Sequence, residues 1–149
     1  MKLTPNFKLA EFISPRDPSP PDSKALANLK RLAEALEDLR ALAGKPLHLT
    51  SGYRSPDYNR KIGGASASQH VQGIAADVVT ADQIKLAALA SQIPEIGAIG
   101  LYPGRAFIHV DLRPRVNGKL TTWQQVDGRY KPLSPEQVKA LKAAGAQGL

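Results

Sequence analysis

The chain has 149 residues, of which 42% are hydrophobic, and a formal net charge of +7 from 20 Lys and Arg against 13 Asp and Glu. This length fits one domain with its own core, and we expect a single domain over residues 1–149. The absence of cysteine excludes a disulfide framework, a zinc or iron–sulfur site with thiolate ligands, and a cysteine nucleophile.

Hydrophobic spacing and turn-forming residues predict the elements of the first half of the chain. Leucines three and four positions apart predict one long helix that begins at Asp22 or Ser23 and ends at Gly44. In chain order, this half is predicted to contain one or two helical turns over 7–13, a proline-rich loop over 14–22, the long helix, a strand over 47–50, a short helix over 56–62 and a small-residue loop over 65–68.

The second half of the chain predicts shorter elements. Thr80 and Gln83 match a capping box, which places the start of a helix there. The predicted order is a strand over 75–79, a helix to about 92, a strand over 97–101, a turn over 102–105, a strand over 107–112, a hairpin of 120–125 with 129–131, and a helix from 135 to about 145. Because helices and strands mix without regular alternation, the predicted fold class is α+β, with a small and mainly antiparallel sheet flanked by helices.

Alternate side chains of the predicted strand over 107–112 face opposite sides of the sheet. One side is apolar, and the other carries the imidazole of His109 and the carboxylate of Asp111. This division indicates that one side packs against a core while the other lines a polar site. The residues leave open the alternative that His109 and Asp111 lie on a solvated sheet face and bond to each other.

His70 and Asp77 are separated by small residues that allow a close backbone approach. If His70 folds back toward Asp77, these side chains and His109 offer two nitrogens and one carboxylate oxygen, a set that suits Zn²⁺ and leaves a fourth position for water. Zinc in such a site lowers the pKa of water toward about 7 and polarises a carbonyl group. The alternative for Asp77 is a carboxylate that caps a helix or a turn.

Arg54 lies in the short segment between a predicted strand and a predicted helix. A guanidinium group in such a loop can bind a carboxylate or a developing oxyanion through paired hydrogen bonds. The alternative is an ordinary surface arginine. Tyr53, Tyr58 and Tyr102 are candidates for the wall of a peptide groove, or else they pack in the core.

Several motifs together resemble a known family. They are Phe7-x-Leu-x-Glu-Phe, Ser51-Gly-Tyr-Arg-Ser-Pro-x-Tyr-Asn, Gly63-Gly-Ala, Ser68-x-His-x-x-Gly-x-Ala-x-Asp and Phe107-Ile-His-Val-Asp-Leu-Arg. In order and spacing they resemble the zinc D-Ala-D-Ala carboxypeptidases and the related zinc DD-peptidases that cleave peptidoglycan, which are found in bacteria and often in bacteriophages. The resemblance covers about residues 3–123, and the hairpin and helix over about 120–145 follow it.

The resemblance implies a fold shared with the hedgehog signalling domain and one Zn²⁺ per chain, held by His70, Asp77 and His109. It implies that Arg54 binds the substrate or stabilises the tetrahedral intermediate, and that Ser68 lies at the substrate pocket. With Tyr53, these are the predicted substrate-binding residues.

One position departs from the family pattern. Several enzymes of the family have an acidic residue, the general base, three positions before the last histidine ligand, and here that position is Ala106. Asp111, two residues after His109, is the nearest acid and is predicted to act as the base, because a zinc-bound water needs a proton acceptor within about 3 Å. The alternative is that Asp111 orients His109 or Arg54, and Glu95 is a more remote candidate for the base.

The predicted function is therefore zinc-dependent hydrolysis of a peptide bond in peptidoglycan stem peptides or cross-bridges. The residues are compatible with a carboxypeptidase or an endopeptidase. The alternative is a zinc-containing module that binds the cell wall, or has a structural role, without catalysis.

The first residues lack the apolar core of a secretory signal. We therefore expect a protein made in the cytoplasm that reaches the wall after release, as a bacteriophage endolysin or a virion-associated hydrolase.

The charge and the remaining residues bear on partners. Residues 105–131 contain six Arg and Lys against two Asp, an excess that suits an anionic wall polymer. No basic helix or helix-turn-helix pattern is present, so nucleic acid is not expected as a partner. No apolar run is long enough for membrane insertion, and nothing requires more than a monomer. His48 is interpreted as structural. Trp123 is interpreted as a core or rim residue, and the alternative is that it stacks on the cell wall.

Overall fold

The computed structural model describes residues 1–65 and 67–149. In chain order its elements are β1 (Lys2–Thr4), β2 (Phe7–Lys8), a 3₁₀ turn (Leu9–Phe12), α1 (Ser23–Ala43), β3 (Leu49–Ser51), α2 (Pro56–Lys61), α3 (Gln69–Gln72), β4 (Ala75–Val79), α4 (Gln83–Ser91), β5 (Ala98–Leu101), β6 (Phe107–Asp111), β7 (Thr121–Val126), β8 (Arg129–Lys131) and α5 (Pro135–Ala143). No helix in these ranges is both long enough and apolar enough to cross a membrane.

Strands β3 to β8 form one sheet in the order β3-β4-β6-β5-β7-β8. β5 and β7 run parallel, and the other neighbouring strands of this sheet pair antiparallel. β1 and β2 form a separate antiparallel pair. The architecture confirms the predicted α+β class with a mainly antiparallel sheet.

Helix α1 covers the apolar side of the sheet. Asp22 caps it by accepting a hydrogen bond from Ala25 N at 2.8 Å, and Gly44 ends it in the left-handed conformation at φ 70°. Leu26, at the start of its predicted leucine stripe, is only half-buried. Four leucines of the stripe are fully buried and belong to one core cluster with side chains of β4 and β6; they are Leu29, Leu32, Leu36 and Leu39. The opposite side of the sheet is therefore the side available for a polar site.

The strand register aligns one residue from each of five neighbouring strands on that polar side. Ser51 of β3 pairs with Asp77 of β4, Asp77 with His109 of β6, His109 with Gly100 of β5, and Gly100 with Trp123 of β7. We call this line of residues the cross-sheet row. It places two of the predicted ligands directly opposite each other.

Two predicted element boundaries were wrong. Thr80 does not cap α4, because its backbone N–H still donates to Ala106 O at the end of β4; Asp82 is the cap and accepts from Lys85 N at 3.0 Å. The predicted helical turns over 7–13 begin instead as β2, which pairs with β1, and only Leu9–Phe12 is helical. Ser66, within the predicted loop over 65–68, lies outside the described residues.

The predicted C-terminal hairpin is confirmed. β7 and β8 pair around Asp127 and Gly128, which both have positive φ, at 53° and 74°. A two-residue turn of this kind matches the right-handed twist of the strands that it joins. The hairpin extends the sheet beyond β5 and brings Trp123 to the polar side.

Candidate metal centre

Three potential metal ligands come together on the polar side of the sheet. The Nδ1 atom of His109 lies 3.2 Å from Oδ1 of Asp77, and Nε2 of His70 lies 3.5 Å from the same oxygen. One ligand atom from each residue lies within 4.8 Å of the other two. Both imidazoles are buried and Asp77 is half-buried. The structure thus brings together the three residues that the sequence had separated by up to 39 positions.

Helix α3 delivers His70 to this cluster. The sequence predicted that a loop over 65–68 leads directly to His70. Instead Gln69–Gln72 form one helical turn, capped by Ser68, whose Oγ accepts from His70 N at 3.3 Å. The turn ends at Gly73, which has φ 79° and packs so closely on α1 that a Cβ would lie 2.7 Å from Ala25 O. Only glycine fits there, because it tolerates both the positive φ and the close approach.

The second nitrogen of each imidazole is already engaged away from the cluster. Nδ1 of His70 lies 2.7 Å from the carbonyl oxygen of Gly52, and Nε2 of His109 lies 2.7 Å from Oδ2 of Asp111. An imidazole that donates from one nitrogen keeps a lone pair on the other. These partners therefore leave His70 Nε2 and His109 Nδ1 as ligand atoms facing Asp77, the arrangement usual for histidines that bind metal.

The protonation equilibria of the cluster are strongly coupled. Burial opposes ionisation of Asp77, but hydrogen bonds from His109 and His70 outweigh it and hold the pKa of Asp77 well below its usual range. Burial likewise opposes the charged form of His109, yet hydrogen bonds to Asp111 and Asp77 raise its pKa. For Asp111, burial is outweighed by hydrogen bonds from His109 and Arg113, which lower its pKa to about 2. Both carboxylates are thus anionic at neutral pH, as a cation site requires.

The donor set fits zinc. Two imidazole nitrogens and one carboxylate oxygen are ligands that Zn²⁺ accepts, and three protein ligands leave a position open for a further ligand. A family model described as Peptidase M15 matches residues 6–111, which include all three ligand candidates. The chain belongs to the Peptidase M15 family.

Curated relatives of this M15 chain agree with that assignment. It is 36% identical to the protein named Peptidoglycan L,D-endopeptidase MepK from Escherichia coli K12, over 56% of this chain and 50% of that protein. The proteins of the same name from Escherichia coli O157:H7 and Shigella flexneri match with the same identity and coverage. The M15 chain thus spans about half the length of the curated relatives that it matches.

Asp111 lies behind His109 as seen from Asp77. It is fully buried, and Arg113 donates to both of its oxygens, from Nε to Oδ1 at 2.9 Å and from Nη2 to Oδ2 at 2.8 Å. The groove beside the three ligand candidates is lined by neither Asp111 nor Glu95, and Glu95 is exposed. Within the described residues, Asp77 is the only carboxylate that lines this groove.

Arg54 and Ser68 lie in that groove on the His70 side. Arg54 N donates to His70 O at 3.2 Å, and Arg54 Nη1 donates to Asn59 Oδ1 at 3.0 Å. Its Nε is buried and has no hydrogen-bond partner among residues 1–65 and 67–149. The guanidinium is therefore held in place by one nitrogen and keeps donor capacity for a ligand.

Tyr53 occupies a different position from the one predicted. It is buried, its backbone N–H donates to Phe12 O at 2.7 Å, and it lines a separate hollow of about 550 Å³ that Glu11 and Tyr58 also line. His48 is exposed, and its carbonyl oxygen accepts from Val79 N in the sheet. The structure thus places neither side chain beside the three ligand candidates.

Four residues line the other side of the groove. Tyr102 was a sequence candidate for the groove wall, whereas Arg113, Trp123 and Tyr130 were not assigned to the site. The indole ring of Trp123 lies 5.1 Å from the imidazole of His109, centroid to centroid. Burial, with the nearby negative charge of Asp77, raises the pKa of Tyr102 to about 12, so its phenol stays neutral. The glycines of 97–101 were the one available signal, since glycine in a strand often marks a close approach.

Proposed function

We propose that this M15 chain is a zinc-dependent peptidase that hydrolyses a peptide bond in peptidoglycan. The observation that supports this most directly is the pair of imidazoles whose free nitrogens both face Asp77 while their other nitrogens are engaged by Gly52 and Asp111. His70, Asp77 and His109 would hold one zinc ion per chain, and the chemistry that such an ion would supply is activation of a water and polarisation of the scissile carbonyl.

Arg54 binds the substrate on the His70 side of the groove. Its guanidinium is fixed by Asn59, and Gly64 leaves room for it, because a Cβ at Gly64 would lie 2.8 Å from Arg54 Nη1. A pre-positioned guanidinium stabilises negative charge on a carboxylate or on the oxygen of a reacting carbonyl group. Ser68 contributes to the same side by capping the helix that presents His70.

Asp111 acts as a positioning residue in this proposal. Both of its oxygens already accept hydrogen bonds, from His109 and from Arg113, and it does not line the groove. A carboxylate that accepts the far N–H of a histidine ligand fixes the ring orientation and increases its basicity. Of the two roles expected from the sequence, the geometry thus favours orientation of His109 over acceptance of the water proton.

The groove favours internal cleavage over removal of a terminal residue. It has a volume of about 680 Å³ and extends past the ligands on both sides, to Arg54 at one end and to Trp123 and Tyr130 at the other. A substrate chain can therefore continue on both sides of the scissile bond. The relatives named Peptidoglycan L,D-endopeptidase support the same choice. We propose an endopeptidase that acts as a monomer on stem peptides or cross-bridges.

The test is product analysis with the zinc-loaded protein. Purified peptidoglycan and defined muropeptides are incubated with the protein, and the products are separated and identified by mass spectrometry. Separated cross-links or an internal stem cut establish an endopeptidase, whereas loss of terminal D-Ala alone establishes a carboxypeptidase. His70→Ala removes a ligand and should abolish turnover. His48→Ala, which removes the exposed histidine, is the matched control and should retain it.

A non-catalytic zinc module is the second candidate. It is favoured by Ala106, which stands where several family members have an acidic base, and by the lack of any carboxylate other than that of Asp77 among the described residues that line the groove. One zinc per chain, measured by elemental analysis, together with retention on peptidoglycan and no product of any kind, would establish this second candidate.

The bacteriophage setting stays a prediction. Lysis of intact bacterial cells by protein added from outside would support it.

A further inference from the structure

Trp123 lies at the end of the cross-sheet row, on the His109 side of the groove. Its indole is half-buried, packs 5.1 Å from the His109 ring and is covered by the Arg113 guanidinium at 5.2 Å. Because Arg113 also binds Asp111, the indole is held by the same group of side chains that orients His109. Trp123 is thus a fixed part of the groove wall.

Gly100 determines which edge of the indole faces the groove. A Cβ at Gly100 would lie 2.5 Å from both Nε1 and Cε2 of Trp123, closer than side-chain atoms approach in folded proteins. Gly100 is the member of the cross-sheet row between Trp123 and His109. The indole therefore lies across the bare backbone of β5, and its Nε1 edge reaches from β7 toward His109.

The indole N–H makes no hydrogen bond of normal geometry. Nε1 is buried, and although the Tyr102 hydroxyl lies beside it and interacts with it, the indole forms no well-aligned hydrogen bond within the described ranges. Buried donors in folded proteins are nearly always paired, and an indole nitrogen can only donate. A well-aligned hydrogen-bond acceptor is therefore missing from this position, and Trp123 lines the groove that we assign to a peptide.

The surroundings of Nε1 are neutral and fixed. Tyr102 is held by Gln83, whose Oε1 accepts from Tyr102 N and whose Nε2 donates to Tyr102 O, both at 2.7 Å. Its ring packs on Phe107 at 4.4 Å. The Arg113 guanidinium is engaged by Asp111. The Trp123 end of the groove thus offers an uncharged donor. The other end offers the charged guanidinium of Arg54, which keeps donor capacity beyond its bond to Asn59.

We propose that the indole N–H of Trp123 donates a hydrogen bond to a backbone carbonyl oxygen of the substrate on the His109 side of the metal centre. This end of the groove then takes uncharged peptide backbone, and the Arg54 end takes the carboxylate-bearing part. The proposal rests on the proposed function, because it assumes a peptide in the groove. It makes Trp123 a substrate-binding residue and Gly100 the residue that positions it.

Trp123 is the only tryptophan in the chain, so its indole N–H gives a single resolved signal in a ¹⁵N-correlated NMR spectrum. The zinc-loaded protein is titrated with a purified disaccharide-tetrapeptide fragment of peptidoglycan. We expect the indole proton to move downfield and to exchange more slowly with water. An indole signal that does not move while backbone signals around His70 do move would overturn the proposal.

Two variants separate the N–H from the ring. Trp123→Phe keeps an aromatic ring and removes the donor, and it should raise KM about 5- to 15-fold with kcat little changed, as expected for one neutral hydrogen bond. Gly100→Ala keeps the donor but displaces the indole, and it should raise KM similarly. Unchanged KM in both variants would show that Trp123 only packs.

The outcomes also distinguish this proposal from the proposed function. Cleavage without an indole shift rejects the hydrogen bond alone, whereas neither cleavage nor any shift on titration rejects the proposed function. If Trp123→Phe does not fold, as judged by circular dichroism, the titration of the unaltered protein and Gly100→Ala still decide.

Discussion

At the scale of single residues, the site depends on which ring nitrogen of each histidine carries the N–H and which keeps its lone pair for the metal. His109 donates to Asp111, and Asp111 is itself fixed by three hydrogen bonds from Arg113, two from the guanidinium and one from the backbone N–H. The main effect of Asp111 should thus be on metal affinity, because a carboxylate behind a histidine ligand determines the orientation and basicity of the ring. This differs from the effect expected of a general base.

Asp111→Asn tests the difference. We expect zinc affinity to fall about 10- to 100-fold, because the amide loses the charge that binds the His109 N–H and the Arg113 guanidinium. Competition with a chromophoric chelator measures it. The control is Asp57→Asn, which removes an exposed carboxylate paired with Arg60 on α2 and should leave affinity unchanged. Normal zinc affinity with a large loss of kcat would instead identify Asp111 as the base.

The raised pKa of His109 predicts how the metal-free protein responds to pH. A folded state that binds a proton more tightly than the unfolded chain is stabilised below about pH 6.5, the ordinary histidine pKa, and loses that stabilisation as pH rises through the raised value. Denaturant unfolding in the presence of a chelator should therefore show decreasing free energy of unfolding above about pH 6.5.

Zinc should reverse that trend, because the ion binds only the deprotonated imidazole and its stabilisation grows as pH rises. His109→Gln should flatten the pH dependence of the metal-free protein over the same range. A metal-free protein whose stability is constant or increases there would contradict the assignment of the proton to His109.

At the scale of elements, Arg115 joins the C-terminal hairpin to the end of α4. Its Nε donates to Ile96 O at 2.9 Å, and its Nη2 donates to Ser91 O at 2.8 Å and to Ile93 O at 3.0 Å. These carbonyls lie at and after the helix C-terminus, where the helix itself supplies no further backbone N–H; of the three, Ile93 O also accepts from Ile96 N. The segment that leads into β7 is therefore attached to the helix that packs beneath the sheet.

Arg115→Met should lower the free energy of unfolding by about 2–4 kcal/mol, because it removes three charge-assisted hydrogen bonds and leaves the Ser91 and Ile96 carbonyls unpaired. Urea denaturation followed by circular dichroism measures the change. Arg129→Met, on the exposed strand β8, is the matched control and should shift stability by less than about 0.5 kcal/mol. Equal effects of the two substitutions would show that Arg115 does not join these elements.

At the scale of the whole molecule, the net charge of +7 favours an anionic partner. The local excess over 105–131 is smaller in effect than the sequence suggested, since Arg113 is neutralised by Asp111 and Arg115 serves helix α4. Of the four exposed cations in this stretch, Arg105 stacks on the Phe107 ring, and the other three are Lys119, Arg129 and Lys131. These three cations, which we call the exposed basic set, are available to an acidic wall polymer.

Retention on insoluble peptidoglycan should therefore weaken as salt is raised from about 0.1 M to about 1 M, because the screening length falls from about 10 Å to about 3 Å. Hydrolysis of a small soluble muropeptide should change by much less. Replacing the exposed basic set by Gln should reduce the salt dependence of retention, measured by sedimentation with the polymer. Retention that is independent of salt would contradict an electrostatic contribution.

The sequence predicted those parts of the molecule that depend on local pattern. The leucine stripe of α1, the Asp127-Gly128 hairpin and the division of β6 into an apolar and a polar side all follow from spacing over a few residues. The start of α4 was misplaced because Thr80 and Asp82 are both good caps, and only the pairing of Thr80 with Ala106 decides between them.

The aromatic side of the groove could not be predicted in the same way. Trp123 reaches His109 only because β7 pairs in parallel with β5, and because Gly100 has no side chain. Parallel pairing between strands separated by a whole antiparallel strand leaves no local trace in the sequence. Trp123 was accordingly interpreted as a core or rim residue, and the family resemblance, centred on the ligand motifs, gave no indication of its position.

The cross-sheet row divides its tasks between two stretches of the chain. Asp77 and His109 lie inside the region shared with the Peptidase M15 family, at residues 6–111, whereas Trp123 lies beyond it. If Trp123 binds the substrate as proposed, mutations in the C-terminal hairpin should alter substrate binding while the metal ligands stay intact. A chimera that keeps residues 1–111 and takes its hairpin from another family member would keep the metal ligands of this chain and gain the substrate contacts of the other protein. Substrate preference can then evolve through exchange of the hairpin alone.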